Sequence, residues 1–374
     1  MKRAVFSILA SMLAFACVCK GAEGRSHQAL LQLINSRSSG NPKAYEEAAQ
    51  VVADDAAAGR LLQQYVIALA SRDPDAPKAA QIGDALREKY LAESRPKIRA
   101  LAERKNNSLA WYLLSLEAND ATLLKKAADA GNIQALNAWG TMSLVKALQS
   151  PLVDTNDMQK VFSQSYQAFR TAADHGDPNG LYNVGMCHMN GYGVPADGNK
   201  ALKCFIAAAA SGHPEAINNL GGFYRDGIVV QKDPAKAMQF FAKSADFGNA
   251  YGELNYALGL LRGEGVEKDP ERAANMLHSS AQKGNIEAMN AYGKCLYDAN
   301  GVERDFTEAV RWFRTAAERG CAPAMENYAK CFEDGVGGLK RDANLATVWN
   351  VRARAARGDR NAAAWLLQNG HSLR

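Results

Sequence analysis

Residues Ala208 to Ala245 read A-A-A-S-G-H-P-E-A-I-N-N-L-G-G-F-Y-R-D-G-I-V-V-Q-K-D-P-A-K-A-M-Q-F-F-A-K-S-A. Small residues lead into Gly212, and at the far end small residues lead into Gly248. Taken as a marker, this glycine recurs at Gly131, Gly176, Gly212, Gly248, Gly284, Gly320 and Gly358, at intervals of 45, 36, 36, 36, 36 and 38 residues. A period in this range without strand alternation is that of stacked helix pairs, each too small to bury its apolar face alone. The fold class expected is all-α, an α-solenoid of antiparallel helix pairs.

Each repeated position has a physical reading. The marker glycine ends one helix, where a left-handed residue is needed. Seven residues before the marker lie Leu124, Phe169, Phe205, Phe241, Leu277, Phe313 and Val351. Four before it lie Ala127, Ala172, Ala208, Ser244, Ser280 and Ala316. Together these form the buried face of a repeat's second helix. Nine residues after the marker sit Gly140, Gly185, Gly221, Ala257, Gly293 and Ala329. Glycine inside a helix costs about 1 kcal/mol against alanine, so its return implies close helix approach. A turn follows, at Gly193-Val194, Gly265-Val266 and Gly301-Val302, with Val229-Val230 as a variant. Then Asp197, Asp233, Asp269, Asp305 and, one place late, Asp342 open the second helix as N-caps. Pro234 and Pro270 fit its first turn, and Ala201, Ala237, Ala273, Ala309 and Ala346 fall on its inner face.

These residues together make the pattern A-A-x-x-G-x-x-x-A-x-x-x-L-G-x-x-Y-x-x-G-x-G-V-x-x-D-x-x-K-A, which resembles the Sel-1-like repeat, a relative of the tetratricopeptide repeat. The units at Gly176, Gly212, Gly248 and Gly284 match it well, the Gly320 unit carries an insertion at Gly335-Val336-Gly337-Gly338, and the Gly131 and Gly358 units match in part. The resemblance implies a right-handed superhelix that serves as an adaptor or assembly scaffold for protein or peptide partners. Some cysteine-rich relatives are credited with binding or hydrolysing penicillin-like compounds. Their hallmark is a cysteine pair in every repeat, which this chain lacks.

Upstream, Lys2 and Arg3 precede an apolar run from Ala4 to Val18, too short to span a bilayer. Residues 1–22 read as a secretory signal, which implies export to the periplasm or the exterior. Cleavage after Ala16, Cys19 or Gly21 is open, and Ala14-Phe15-Ala16-Cys17 resembles a lipobox, so a lipid anchor is a membrane attachment foreseen, with an uncleaved N-terminal anchor as the alternative. Residues 23–107 read as irregular helical hairpins, with short helices separated by breakers at Ser39-Gly40-Asn41-Pro42, Asp73-Pro74-Asp75 and Arg95-Pro96. A separate helical domain is the alternative. Residues 108–374 are the array, with its best units at about 168–355 and a terminal cap at 358–374. The first interval is lengthened by a polar loop at Ser150–Asp157. Formal net charge is +5, but Lys2, Arg3 and Lys20 belong to the signal, leaving 41 basic against 39 acidic residues. That balance points away from nucleic acid.

Candidate binding groups sit on the first helix of each pair. Asn183, Asn219, Asn255 and Asn327 lie seven residues after their markers, with Asn137, Asn218 and Asn290 one place earlier. If this face is concave, their amides could grip an extended peptide, since each both donates and accepts. The alternative is local bonding within the array. Tyr182, Tyr224, Tyr256, Tyr292 and Tyr328 read as packing residues. Cys187, Cys295 and Cys331 share one position, eleven residues after a marker, and read as small buried apolar groups rather than a thiol ladder. Cys187 and Cys204 are the pair that could bridge a hairpin. Cys321 and Cys331, ten apart on one helix, cannot. The six histidines read as exposed or turn residues without metal spacing. Ser94-Arg95-Pro96-Lys97 and Ser280-Ala281-Gln282-Lys283 fit S-x-x-K, but no K-T-G accompanies them. No catalytic residue, cofactor or metal is expected. Arg352, Arg354, Arg357 and Arg360 read as a solvated basic helix end.

Overall fold

The computed structural model describes residues 84–149 and 155–372. The signal segment, the breakers at Asn41-Pro42 and Pro74, and most of the irregular upstream region lie outside the described residues. Among the described residues there are sixteen α-helices and no strand. In order they are α1 Asp84–Lys105, α2 Ser108–Ala118, α3 Ala121–Asp129, α4 Ile133–Gln149, α5 Thr155–Asp174, α6 Pro178–Asn190, α7 Gly198–Ala210, α8 Pro214–Asp226, α9 Pro234–Asp246, α10 Ala250–Arg262, α11 Pro270–Gln282, α12 Ile286–Asp298, α13 Phe306–Glu318, α14 Ala322–Asp334, α15 Ala343–Ala356 and α16 Arg360–Gln368.

The chain divides into two compact units at His213–Pro214. In the first, α2–α3, α4–α5 and α6–α7 are helix pairs, and α1 packs on α2. In the second, the pairs are α8–α9, α10–α11, α12–α13 and α14–α15, with α16 packed on α15. Within each unit every pair also packs on the next, so the all-α architecture of stacked helix pairs is the one observed.

The marker glycines end the second helices as the repeat predicts. All seven have positive φ, from +75° at Gly176 to +92° at Gly358. The amide one place beyond each donates 3.0–3.2 Å back to the helix, as from Asp177 to Ala172 and from Asn285 to Ser280, closing a Schellman turn. The opening aspartates cap as well. Asp197, Asp233, Asp269, Asp305 and Asp342 each accept from the amide three residues on. Bonding to the Lys200 amide, and more weakly the Lys200 charge, hold the Asp197 carboxyl below the usual carboxylate range. The aspartates' own amides donate across the hairpin to the first helix, for example from Asp233 to the Tyr224 carbonyl at 2.8 Å.

The core runs down the second helices. Phe169, Phe205, Phe241, Leu277 and Phe313 are buried, as is the alanine or serine three residues after each. Burying such a ring or branched chain contributes about 1.5–3 kcal/mol. The two serines of that small column are satisfied by donating to the start of the facing helix, from Ser244 to the Pro214 carbonyl at 2.8 Å and from Ser280 to that of Ala250 at 2.6 Å.

Two local expectations are corrected. The break at Arg95-Pro96 is not there: α1 runs through Pro96. Leu91, Ser94, Ile98 and Ala102 lie along one face of α1 and all are buried. That burial outweighs the one lost backbone bond. The loop expected at Ser150–Asp157 is shorter at its downstream end, because α5 already begins at Thr155.

The variant turn carries strain. Val229 stands where other repeats have Gly193, Gly265, Gly301 and Gly337, and it keeps their backbone, with φ +51°. A left-handed conformation costs a side-chain-bearing residue about 1–2 kcal/mol, and more for a β-branched one. Val229 is exposed, so its side chain returns little. Val229→Gly is expected to stabilise the protein by about 1 kcal/mol, a rise of about 2–4 °C in melting temperature. A thermal melt followed by circular dichroism checks this, and a lower melting temperature would contradict it.

Candidate partner-binding face

The first helices α4, α6, α8, α10, α12 and α14 each bury one side and leave a stripe at the surface. In α10 that stripe is Tyr251, Asn255, Leu258 and Arg262, and in α12 it is Glu287, Asn290, Lys294 and Asp298. Asn183, Asn219, Asn255, Asn290 and Asn327 all fall on such stripes and are half-buried.

The structure pairs these amides between neighbouring repeats. Asn255 Nδ2 donates to Asn218 Oδ1 at 2.9 Å, and Asn327 Nδ2 donates to Asn290 Oδ1 at 2.8 Å. In the first unit Asn183 Nδ2 donates to Asn137 Oδ1 at 3.3 Å, and Asn137 Nδ2 donates to Asp177 Oδ1 at 2.9 Å. The asparagine seven places after one marker thus reaches the asparagine six places after the marker before it. Each such bond uses one N–H and one carbonyl lone pair. An amide has two of each, so every pair is oriented by the array while retaining hydrogen-bonding capacity. Beside this row, Gly222 on α8 leaves open space, with nothing within 4 Å of where a Cβ would stand.

The tyrosines serve packing, as read from the sequence. Tyr256 and Tyr328 are buried. Tyr292 stacks on His278 with centroids 4.7 Å apart and meets Trp312 edge-on. Tyr224 stacks on Phe240 at 5.5 Å. Tyr182 stacks on His213 at 4.6 Å, which puts that turn histidine against a ring.

Cys187, Cys295 and Cys331 are buried, and burial pushes their thiols up to about 12, about 11 and about 11. A thiol held neutral in this way is a poor nucleophile and a poor ligand. The proposed bridge between Cys187 and Cys204 is absent, and all five described cysteines are free. Cys204 packs against the cluster that holds Cys187 without bonding to it. His188 departs from the exposed histidine expected: it is buried, with its ring edge toward Tyr166 at 5.8 Å. Burial, aided by the nearby Lys200 charge, lowers its pKa. Among the described residues no group of three His, Cys, Asp or Glu could hold a metal ion, and no helix is long and apolar enough to cross a membrane. In the basic cluster Arg354, Arg357 and Arg360 are exposed, as a solvated helix end requires, and Arg354 pairs with Asp359 and Arg357 with Glu326 at the surface.

Two features escape a reading of the sequence. One is a second row of caps, one place after the marker, where Asn132, Asp177, Asn249, Asn285 and Asp359 cap the first helices. The signal was there, as Asn or Asp recurring beside the glycine, but His213 and Cys321 interrupt it. The other is Glu253. It occupies a position, five after the marker, that is Leu136, Leu181, Ile217, Met289 and Met325 in the other repeats.

Stacked helix pairs with this marker, cap and phenylalanine spacing define a repeat solenoid. The Sel1 repeat matches the chain five times, over residues 178–213, 214–249, 252–285, 286–321 and 322–349. The chain is a Sel1-repeat protein. It is similar to the Sel1 repeat protein from Oxalobacter formigenes over 70% of this chain and 99% of that one, with 27% identity and a TM-score of 0.55. It shares its fold with a protective antigen of uropathogenic Escherichia coli that displays an SLR fold, at 24% identity and a TM-score of 0.52, over 84% of this chain and 65% of that one. No curated protein matches the chain. Sel1 repeats generally mediate protein–protein interaction.

Proposed function

We propose that this chain is an exported, non-enzymatic scaffold that holds a protein partner by an extended segment laid across its first helices. The observation that carries the reading is the pairing of asparagines between neighbouring repeats within each unit. Amides fixed before binding lose little rotamer freedom on capture, and they meet a peptide backbone without demanding a particular sequence. Export is the reading of Lys2, Arg3 and the apolar run after them.

The test is a quadruple alanine variant at Asn183, Asn219, Asn255 and Asn327, with a photo-cross-linker placed at Gly222 in both backgrounds. In intact cells of the native host, the wild-type chain is expected to cross-link to a discrete protein outside the cytoplasm. The variant should retain its helical circular dichroism and lose about tenfold or more of that product, since each lost bond is worth about 1 kcal/mol. Full capture by a folded variant would remove the asparagine face from the binding site.

A further inference from the structure

The buried face of α10 carries a charge that the repeat does not need. Glu253 is 8% exposed at a position that is apolar in every other repeat. Its Oε1 accepts from Lys283 Nζ at 2.7 Å and from Ser279 Oγ at 3.0 Å. Its Oε2 is buried and has no hydrogen-bond partner. Taking a carboxylate out of water and leaving an oxygen unpaired is unfavourable, and apolar replacement of buried ion pairs is often neutral or stabilising.

The next repeat shows that the architecture works without this carboxylate. Lys283, just before its marker, donates to the Gly248 carbonyl at 3.1 Å. Arg319, one repeat on, donates in the same way to the Gly284 carbonyl at 3.1 Å, and there the position of Glu253 is taken by Met289, whose sulfur lies 3.6 Å from the guanidinium. The cation is therefore held by the turn whether its neighbour is methionine or glutamate. Glu253 is surplus to stacking.

It lines a cleft of about 480 Å³ between α10 and α11, together with Asp269, Arg272, Asn275, Met276 and Ser279. Three carboxylates, counting Glu271, stand there against two cations, the Lys283 ammonium already bonded to Glu253 and the Arg272 guanidinium, and Arg272 is engaged over the Tyr256 ring at 5.2 Å. Asp269 spends one oxygen on its helix cap. The unpaired acceptor, the acidic lining and the apolar Met276 fit an alkylammonium whose stem lies along the methionine.

We infer that the α10–α11 cleft is a pocket for a lysine side chain of a bound polypeptide, with Glu253 Oε2 accepting from its ammonium group. This rests on the chain's binding protein but not on the asparagine row, and it is tested with purified components. The probe is the acetylated, amidated peptide Gly-Lys-Gly-Lys-Gly, with norleucine in place of lysine as control, titrated into the full chain while the amide resonances of Asn275 and Ser279 are followed by NMR. The lysine peptide is expected to shift those resonances saturably and the norleucine peptide to leave them in place. Glu253→Met should lose at least about tenfold in affinity while melting no lower than wild type. Glu253→Gln should also lose affinity, which separates charge from shape. The quadruple asparagine variant should bind the peptide normally. Equal response to both peptides, undiminished binding by Glu253→Met or Glu253→Gln, or a Glu253→Met chain that melts lower would each overturn the pocket.

Discussion

Gly301→Ala is expected to destabilise the protein severely, while Gly284→Ala in the same repeat should cost little. Both glycines have positive φ, +77° and +91°, so both substitutions meet the same backbone penalty of about 1 kcal/mol. They differ in what the new methyl group would meet. At Gly284 nothing lies within 4 Å of it. At Gly301 it would stand 2.0 Å from the carbonyl oxygen of Pro270 and 2.8 Å from the amide of Glu271. Those atoms are backbone, in the first turn of α11, and cannot rotate aside. The α12–α13 turn must lift from the hairpin before it, which opens the contact that stacks the repeats. Overpacking of this kind typically costs 1–3 kcal/mol, so the total is about 2–4 kcal/mol. Solenoid stability is a sum of repeats and their interfaces, so losing one interface divides the cooperative unit. Denaturant unfolding should show a lower midpoint and a reduced slope for Gly301→Ala. For Gly284→Ala it should show only a small midpoint shift. Equal effects would mean that the turn does not rest on the preceding helix. A Cβ on Gly193, Gly265 or Gly337 would likewise stand 2.4 Å from the carbonyl oxygen of Phe162, Pro234 or Phe306, so the rule covers those turns but not the turn of Val229, whose side chain is exposed.

Rules that depend on one residue in one place could be read from the chain. The marker glycines, the capping aspartates and the phenylalanine column each satisfy a local requirement, and fixed spacing displays them. Properties that need two repeats at once were beyond such a reading. The asparagine pairing joins the sixth position of one repeat to the seventh of the next, and only their relative register makes Asn218 and Asn255 partners. The run of α1 through Pro96 was equally hidden, because Leu91, Ile98 and Ala102 are buried in a cluster with Trp111 and Leu114 of α2. Glu253 was visible as a letter but not as an anomaly. Its neighbours in sequence are ordinary, and its cost comes from burial.

The glycine nine places after the marker is the clearest case in which two repeated positions form one feature, and it yields the second prediction. A Cβ on Gly140, Gly185, Gly221 or Gly293 would lie 2.7, 2.7, 2.5 and 2.9 Å from the ring of Phe169, Phe205, Phe241 and Phe313 respectively. Where the second helix carries Leu277 or Val351 instead of phenylalanine, the first carries Ala257 or Ala329. Volume is conserved across the hairpin: ring with hydrogen, branched chain with methyl. Gly293→Ala alone forces a methyl group into the buried face of Phe313 and should cost about 1–3 kcal/mol, despite the better helix propensity of alanine. Phe313→Leu alone empties part of the same space and should cost about 1–3 kcal/mol. The double variant recreates the Ala257–Leu277 pair in a neighbouring repeat, and it should recover most of both losses. A double-mutant cycle by denaturant unfolding is expected to give a favourable coupling of about 1–3 kcal/mol. Losses that simply add would mean that the two positions are filled independently. In that case the close approach of α12 and α13 would be set elsewhere in the hairpin, and the spacing of this glycine from its marker would lose its physical cause.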